Sequence, residues 1–259
     1  MLTVVKIGGA WLEGGTRSEP FAELARLRGR VIVVHGGGKE ISRWLDRVGV
    51  PVEWVDGLRV TRGDGLTVTA MVLSGWVNKR VAEALDRAGR RAVGLSGEDA
   101  GTIRALPLDP ARYGEVGRVE SVDAAPLRAL LEAGFTPVVS PVSRGPDGRP
   151  LNVNADEAAI RVAVAVEADR LLLLSDVPGV LVEGELLGSL DRDDARRLAE
   201  GGVLEGGMRV KVEHALEAAD EGVEVRIGDE RLLTGSPGTE ILGAAHSSPL
   251  SPRLSSASG

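Results

Sequence analysis

The chain has 259 residues, a net charge of −7, 43% apolar and 27% charged residues, and no cysteine. It is long enough to bury a real core. Disulfides, thiolate nucleophiles and zinc–thiolate centres are excluded, and the acidic balance argues against a surface built for nucleic acid or anionic membranes. No apolar run approaches the roughly 20 residues of a membrane span, and the N-terminus has no basic segment leading into a long apolar one; a cytoplasmic protein is expected.

With only 3% aromatic residues, the core must be built from Val, Leu, Ile and Ala, as in buried parallel strands. Residues 3–7 form a short apolar run closed by Gly8 and Gly9, a buried strand ending in a tight turn. Phe21, Leu24, Ala25 and Leu27 mark a helix over 19–28. A strand at 31–34 runs into His35-Gly36-Gly37-Gly38, after which Ile41, Trp44, Leu45 and Val48 repeat at helical spacing. A helix is predicted over 66–88 with Gly89 as its C-cap, strands over 92–95 and 136–140, and a helix over 124–133 between them. Residues 101–122 have the pattern of hairpin or loop material. Beyond them come a helix over 154–167, a strand over 170–174, the turn 176–179, and helices over 192–200 and 208–222. Alternating strands and helices predict a mostly parallel sheet wrapped by helices, a three-layer α/β sandwich. A composition change near residue 168 suggests two lobes, 1–167 and 168–242, followed by a disordered tail at 243–259 rich in Ser, Pro, Ala and Gly.

Two glycine turns, each after a strand, let backbone N–H groups approach an anion closely, and the second has a helix N-terminus behind it. Lys6 stands just ahead of the first. Each turn alone is more readily a mere turn than an anion site. The sequence has neither a G-x-x-x-x-G-K-[ST] loop, since Gly38-Lys39 is followed by Glu40, nor a G-x-G-x-x-G, nor a recognisable metal motif. Spacing alone therefore stops at an α/β enzyme that handles an anion.

Motifs carry the reading further. K-I-G-G at 6–9, H-G-G-G at 35–38, G-L-R-V-T at 57–61, V-N-K at 77–79, V-G-L-S-G at 93–97, N-V-N-A-D at 152–156, L-L-S-D-V-P-G at 173–179, G-G-M-x-x-K at 206–211 and G-T-x-I at 238–241 occur in that order. The chain resembles the amino acid kinase family over residues 3–242, and within it the acetylglutamate kinases, for which G-L-R-V-T and N-V-N-A-D are the most specific segments. The resemblance implies an amino acid kinase-like fold and ATP-dependent phosphorylation of the side-chain carboxylate of N-acetyl-L-glutamate, in arginine biosynthesis. It also implies the 1–167 lobe as the acceptor-binding and dimerising part and the 168–242 lobe as the ATP-binding part.

By the same resemblance, Lys6 contacts the transferring phosphoryl group from the acceptor side, Lys211 neutralises charge on the nucleotide side, and Asp156 holds both lysines. A carboxylate between two lysines suits phosphoryl transfer, which needs positioning and charge neutralisation more than covalent chemistry. Gly8 and Gly9 would bind phosphate oxygens, Gly36 and Gly37 the acceptor carboxylate, Arg59 the α-carboxylate through its guanidinium fork, and Asn152 the acetylated amino acid. Ser175 and Asp176 fall where the family's nucleotide site begins. Asn154 reads as the cap of the following helix, and His35 as structural, since a carboxylate nucleophile is already ionised. ATP would come with Mg²⁺ held by phosphates and water, with no protein metal site.

Arginine-inhibited acetylglutamate kinases carry an extra N-terminal helix ahead of the K-I-G-G strand, whereas Lys6 stands almost at the chain start, so a homodimer without strong arginine feedback is expected. Two rival readings remain: a kinase for a carrier-protein-linked α-aminoadipate or glutamate, and a catalytically silent amino-acid-binding regulator on the same fold. Retention of H-G-G-G and G-L-R-V-T weighs against the first, and retention of Lys6, Asp156 and Lys211 against the second.

Overall fold

The structure is a computed structural model in which residues 1–8, 11 and 18–244 are described; Gly9 and the tail from 245 onward lie outside them. In chain order the strands are β1 (Leu2–Ile7), β2 (Arg30–His35), β3 (Trp54–Val55), β4 (Leu58–Arg59), β5 (Ala92–Ser96), β6 (Ile103–Pro107), β7 (Val116–Val122), β8 (Thr136–Ser140), β9 (Val142–Arg144), β10 (Pro150–Val153), β11 (Arg170–Leu174), β12 (Leu181–Val182), β13 (Glu185–Leu186), β14 (Ser189–Leu190), β15 (Glu224–Gly228) and β16 (Thr239–Ile241). The helices are α1 (Ser18–Arg26), α2 (Gly38–Arg47), α3 (Asp64–Ala70), α4 (Asn78–Arg87), α5 (Pro110–Tyr113), α6 (Ala125–Glu132), α7 (Ala155–Ala165), α8 (Arg192–Glu200) and α9 (Gly206–Asp220).

Among the described residues, eight strands form one sheet in the order β14-β16-β15-β11-β1-β2-β8-β5. Strands β5, β8, β2, β1, β11 and β15 are mutually parallel, and β16 runs antiparallel to β15. Strand β1 is the point where the order reverses, with β2 on one side and β11 on the other, so the sheet is continuous across residue 168. In open α/β sheets that reversal opens a crevice at the carboxyl ends of the strands.

Side chains alternate along β1 between two cores. Val5 and Ile7 pack with α1 and α4 through Phe21, Leu24 and Val81. Val4 packs with α7 and α9 through Ile160, Val212 and Ala215. Lys6 lies two residues beyond Val4, and a period of two directs it to the α7/α9 face. The helix predicted over 66–88 is present, but its middle is π-helical: α3 passes without a break through Met71–Val77 into α4. The π turn brings Leu73 and Val77 against Gly37, where an added Cβ would stand 2.7 Å from Leu73 Cδ2.

Residues 101–122 take the hairpin alternative: β6 and β7 pair antiparallel and close with β9 and β10 into a small barrel over the C-terminal ends of the main strands. The sequence pattern missed β14 and β16 because they are only two and three residues long, too short for a period to show, and it missed the five-residue β15 as well.

Candidate active site

Asp156 belongs to the buried stripe of α7. The spacings i+3, i+4 and i+7 lead from it to Ala159, Ile160 and Ala163, all fully buried, so its carboxylate sits at the sheet-facing end of the helix. Asn154 caps that helix as expected, its side-chain oxygen accepting from the N–H of Asp156 at 2.8 Å and of Glu157 at 3.4 Å. Lys6 reaches Asp156 Oδ1 from β1 at 2.9 Å, and Lys211 reaches the same oxygen from α9 at 2.8 Å. Side-chain exposures are 11%, 17% and 9% for Lys6, Asp156 and Lys211, so this is a nearly dry cluster of two cations on one anion. Burial pushes the Asp156 carboxyl up, but the charges and hydrogen bonds of Lys6 and Lys211 overcome that and hold it at about 2. Burial pulls Lys211 below the ordinary lysine value, with Asp156 opposing the shift. The cluster carries one net positive charge with little water around it, an electrostatic seat for a phosphoryl group.

Beside it lies a cavity of about 180 Å³ lined by Gly36, Gly37, Arg59, Asn152, Leu73 and Trp54 among others. Register pairs Ile7 with His35, so the two glycine turns leave the sheet side by side, and the N–H of Gly36 donates to the carbonyl of Ile7 at 3.0 Å. Arg59 is only 6% exposed. Its Nη2 donates to the Gly38 carbonyl and to Ser42 Oγ, both at 2.8 Å. Its buried Nη1 has no partner among the described residues. A buried N–H donor pair without an acceptor is costly, and Arg59 is one of the residues lining the cavity. Burial lowers the pKa of Arg59 from its ordinary value, yet an arginine stays cationic through such shifts. Asn152 Nδ2 donates to Thr61 Oγ1 at 3.0 Å, tying the barrel to the G-L-R-V-T segment.

Ser175 directly follows β11, its N–H donating to the Gly228 carbonyl at 2.7 Å, and Asp176 beyond it is exposed. Both lie at the carboxyl edge shared with Lys6, which pairs with Leu173. Gly8 lies beyond the end of β1 with open space around its Cα, and Gly9 lies outside the described residues. Among the described residues no group of three or more His, Asp and Glu side chains could hold a metal ion, and no helix is long and apolar enough to cross a membrane.

A sequence profile described as the amino acid kinase family matches residues 1–229. The chain belongs to the amino acid kinase family. Among its relatives, the acetylglutamate kinase of Gluconobacter oxydans is 46% identical over 241 residues, covering 86% of this chain and 82% of that protein. The acetylglutamate kinase of Synechococcus sp. is 44% identical over 229 residues, covering 85% and 78%. The crystal structure of smu.665 from Streptococcus mutans superposes with a TM-score of 0.83 at 32% identity, covering 93% of this chain and 98% of that one.

In this amino acid kinase the V-N-K and V-G-L-S-G motifs form one buried lock. Asn78 Nδ2 donates to His35 Nε2 at 3.1 Å, to the Leu95 carbonyl at 3.2 Å and to the Val138 carbonyl at 2.8 Å, and Lys79 Nζ donates to the Gly94 carbonyl at 2.7 Å. A Cβ on Gly94 would stand 2.0 Å from Asn78 Oδ1, so the amide needs glycine there. Since His35 Nε2 accepts, its Nδ1 carries the proton and faces the Gly36 carbonyl at 3.1 Å. Burial lowers His35 to about 4, the Gly36 bond opposing and Lys79 assisting, which makes it a neutral structural group. Sequence reasoning gave no role to Asn78, Thr61 or Trp54. The signal for Asn78 was an amide at helical spacing from Val81 and Ala82, on a helix whose other buried positions are apolar.

Proposed function

We propose that the chain is an ATP-dependent kinase that phosphorylates the γ-carboxylate of N-acetyl-L-glutamate, giving N-acetyl-L-glutamyl 5-phosphate for arginine biosynthesis. The observation that carries this reading is the pairing of Lys6 and Lys211 on a single oxygen of Asp156, beside a cavity bordered by a buried guanidinium with an unsatisfied Nη1. In the reaction an acceptor carboxylate oxygen attacks the γ-phosphorus while the bond to the bridging oxygen breaks and ADP leaves. The transferring group carries negative charge throughout, and Lys6 on the acceptor side and Lys211 on the nucleotide side neutralise it. Asp156 holds both ammonium groups in place through one carboxylate oxygen. No general base is needed, since the acceptor carboxylate is already ionised at neutral pH.

Arg59 takes the α-carboxylate, Asn152 contacts the acetylated amino acid, and the Gly36-Gly37 turn holds the γ-carboxylate. Gly8 and Gly9 serve phosphate oxygens, and Ser175 and Asp176 open the nucleotide side. Mg²⁺ travels with ATP on phosphate oxygens and water. The acceptor half spans residues 1–167 and the nucleotide half 168–242. The protein works in the cytoplasm as a homodimer, for which exposed Met71 and Trp76 on the outer side of the π-helical segment are a suitable contact.

The test is acyl-phosphate formation from Mg-ATP, trapped with hydroxylamine, with N-acetylglutamate, glutamate, aspartate and N-acetylaspartate offered in parallel. Turnover with N-acetylglutamate alone supports the assignment. A folded, ATP-binding protein that leaves N-acetylglutamate untouched overturns it.

A further inference from the structure

The hairpin of β3 and β4 places Trp54 directly opposite Arg59, the two being cross-strand partners. Its turn residues, Asp56 and Gly57, both have positive φ, 51° and 77°, the requirement of a tight two-residue hairpin that fixes which side chains face each other. The tip is anchored: Tyr113 Oη donates to Asp56 Oδ2 at 2.7 Å, and Arg112 forms an ion pair with the same carboxylate. On this fixed hairpin the guanidinium carbon of Arg59 lies 4.5 Å from the centroid of the Trp54 ring.

The two residues differ in exposure. Arg59 is 6% exposed and Trp54 is 55% exposed, so the indole stands between the guanidinium and solvent, and both line the same cavity. The bonds from Nη2 to Gly38 and Ser42 hold one corner of the guanidinium. They leave it free to tilt about that corner. An aromatic face stacked on the cation removes the tilt and excludes water from one side.

We propose that Trp54 is a positioning residue for acceptor binding: its indole orients and partly desolvates Arg59 and forms the outer wall of the acceptor cavity. This rests on the reading of Arg59 as the acceptor's carboxylate ligand. The side chain touches no reacting atom, so its effect falls on acceptor affinity and leaves the chemical step alone.

Initial rates of the full-length protein with Mg-ATP and N-acetylglutamate, for Trp54→Leu, Trp54→Phe and Arg59→Lys, test it. Trp54→Leu, which keeps apolar bulk and loses the ring face, raises KM for N-acetylglutamate about five- to tenfold, with kcat and KM for ATP unchanged. Trp54→Phe restores most of the affinity, because a phenyl face also stacks on a guanidinium. Titrating the ATP-free protein with N-acetylglutamate changes its tryptophan emission, and Trp54→Phe abolishes the change. A role confined to hairpin packing would instead lower the unfolding temperature and affect both substrates. If Arg59→Lys raises the acceptor KM and Trp54→Leu does not, the role of Trp54 is overturned while the acceptor site stands. If Arg59→Lys leaves the acceptor KM unchanged, the acceptor reading of the cavity fails and the role of Trp54 falls with it.

Discussion

Asp156 accepts from two ammonium groups on one oxygen, and that asymmetry between one carboxylate and two lysines sets what each substitution does. Lys6→Met or Lys211→Met keeps volume and still leaves Asp156 one cationic partner, so the fold persists. On the proposed roles each change removes a fixed positive charge from the transfer path, and kcat for acyl-phosphate formation is expected to fall on the order of 10²- to 10³-fold. Asp156→Asn is different, because it strands two buried lysines without a counter-charge. Beyond the loss of activity, denaturant unfolding should show a destabilisation of about 3 kcal/mol, larger than for either lysine variant. Equal stability of Asp156→Asn and wild type would mean that the cluster is not closed in solution. Residue identity was legible in the sequence for all three members, because each sits in a motif. Their sharing of one oxygen was not, because β1, α7 and α9 are separated by about 150 and 55 positions.

At the scale of elements, α7 delivers Asp156 only if its first turn is fixed. Asn154 does this by accepting from the N–H groups of Asp156 and Glu157. Asn154→Ala should cost about 1 kcal/mol and lower the melting temperature by roughly 2–4 °C. Fraying of that turn also loosens the carboxylate, so kcat should drop several-fold while acceptor KM changes less; an unchanged kcat would separate the cap from the catalytic geometry. The helices and long strands were legible through periodicity and glycine stops. The π turn in the middle of the 64–87 helical run was not, since nothing in a 3.6-residue pattern announces one extra residue per turn. Its reason is tertiary: Leu73 and Val77 close on Gly37, and Ser74 Oγ meets Ser140 Oγ at 2.8 Å.

For the whole molecule, His35 and Asp156 both contribute to the acid limb of stability. His35 is held at about 4 against an ordinary 6.5. Between those values the unfolded chain binds the proton and the folded chain does not. Stability is therefore full above about pH 6.5 and falls as pH drops toward 4, by roughly 3 kcal/mol. Asp156, at about 2 against an ordinary 3.8, acts in a lower window: its contribution is full above about pH 4 and is lost toward pH 2. Denaturant unfolding at a series of pH values should show the first slope in wild type and a flatter one in His35→Gln. A slope unaltered by that substitution would assign it to other groups. Met71 and Trp76 are 66% and 47% exposed, and if a second copy covers them, Trp76→Glu should move the protein from dimer to monomer in light scattering; a wild-type monomer would remove the dimer from the proposal.

The sequence by itself determined the parallel α/β architecture and the strand, glycine turn and helix order, and its family motifs named Lys6, Arg59, Asp156 and Lys211 as the candidate site. Each of these depends on local periodicity or on short motifs. Only the tertiary structure decided that two lysines share one carboxylate oxygen, that residues 101–122 close into a barrel over the site, that Asn78 locks His35 beneath Gly94, and that Trp54 covers Arg59. Those facts depend on which face of one element meets which face of another across long sequence separations, and on shape and desolvation at the contact, which no window along the chain contains.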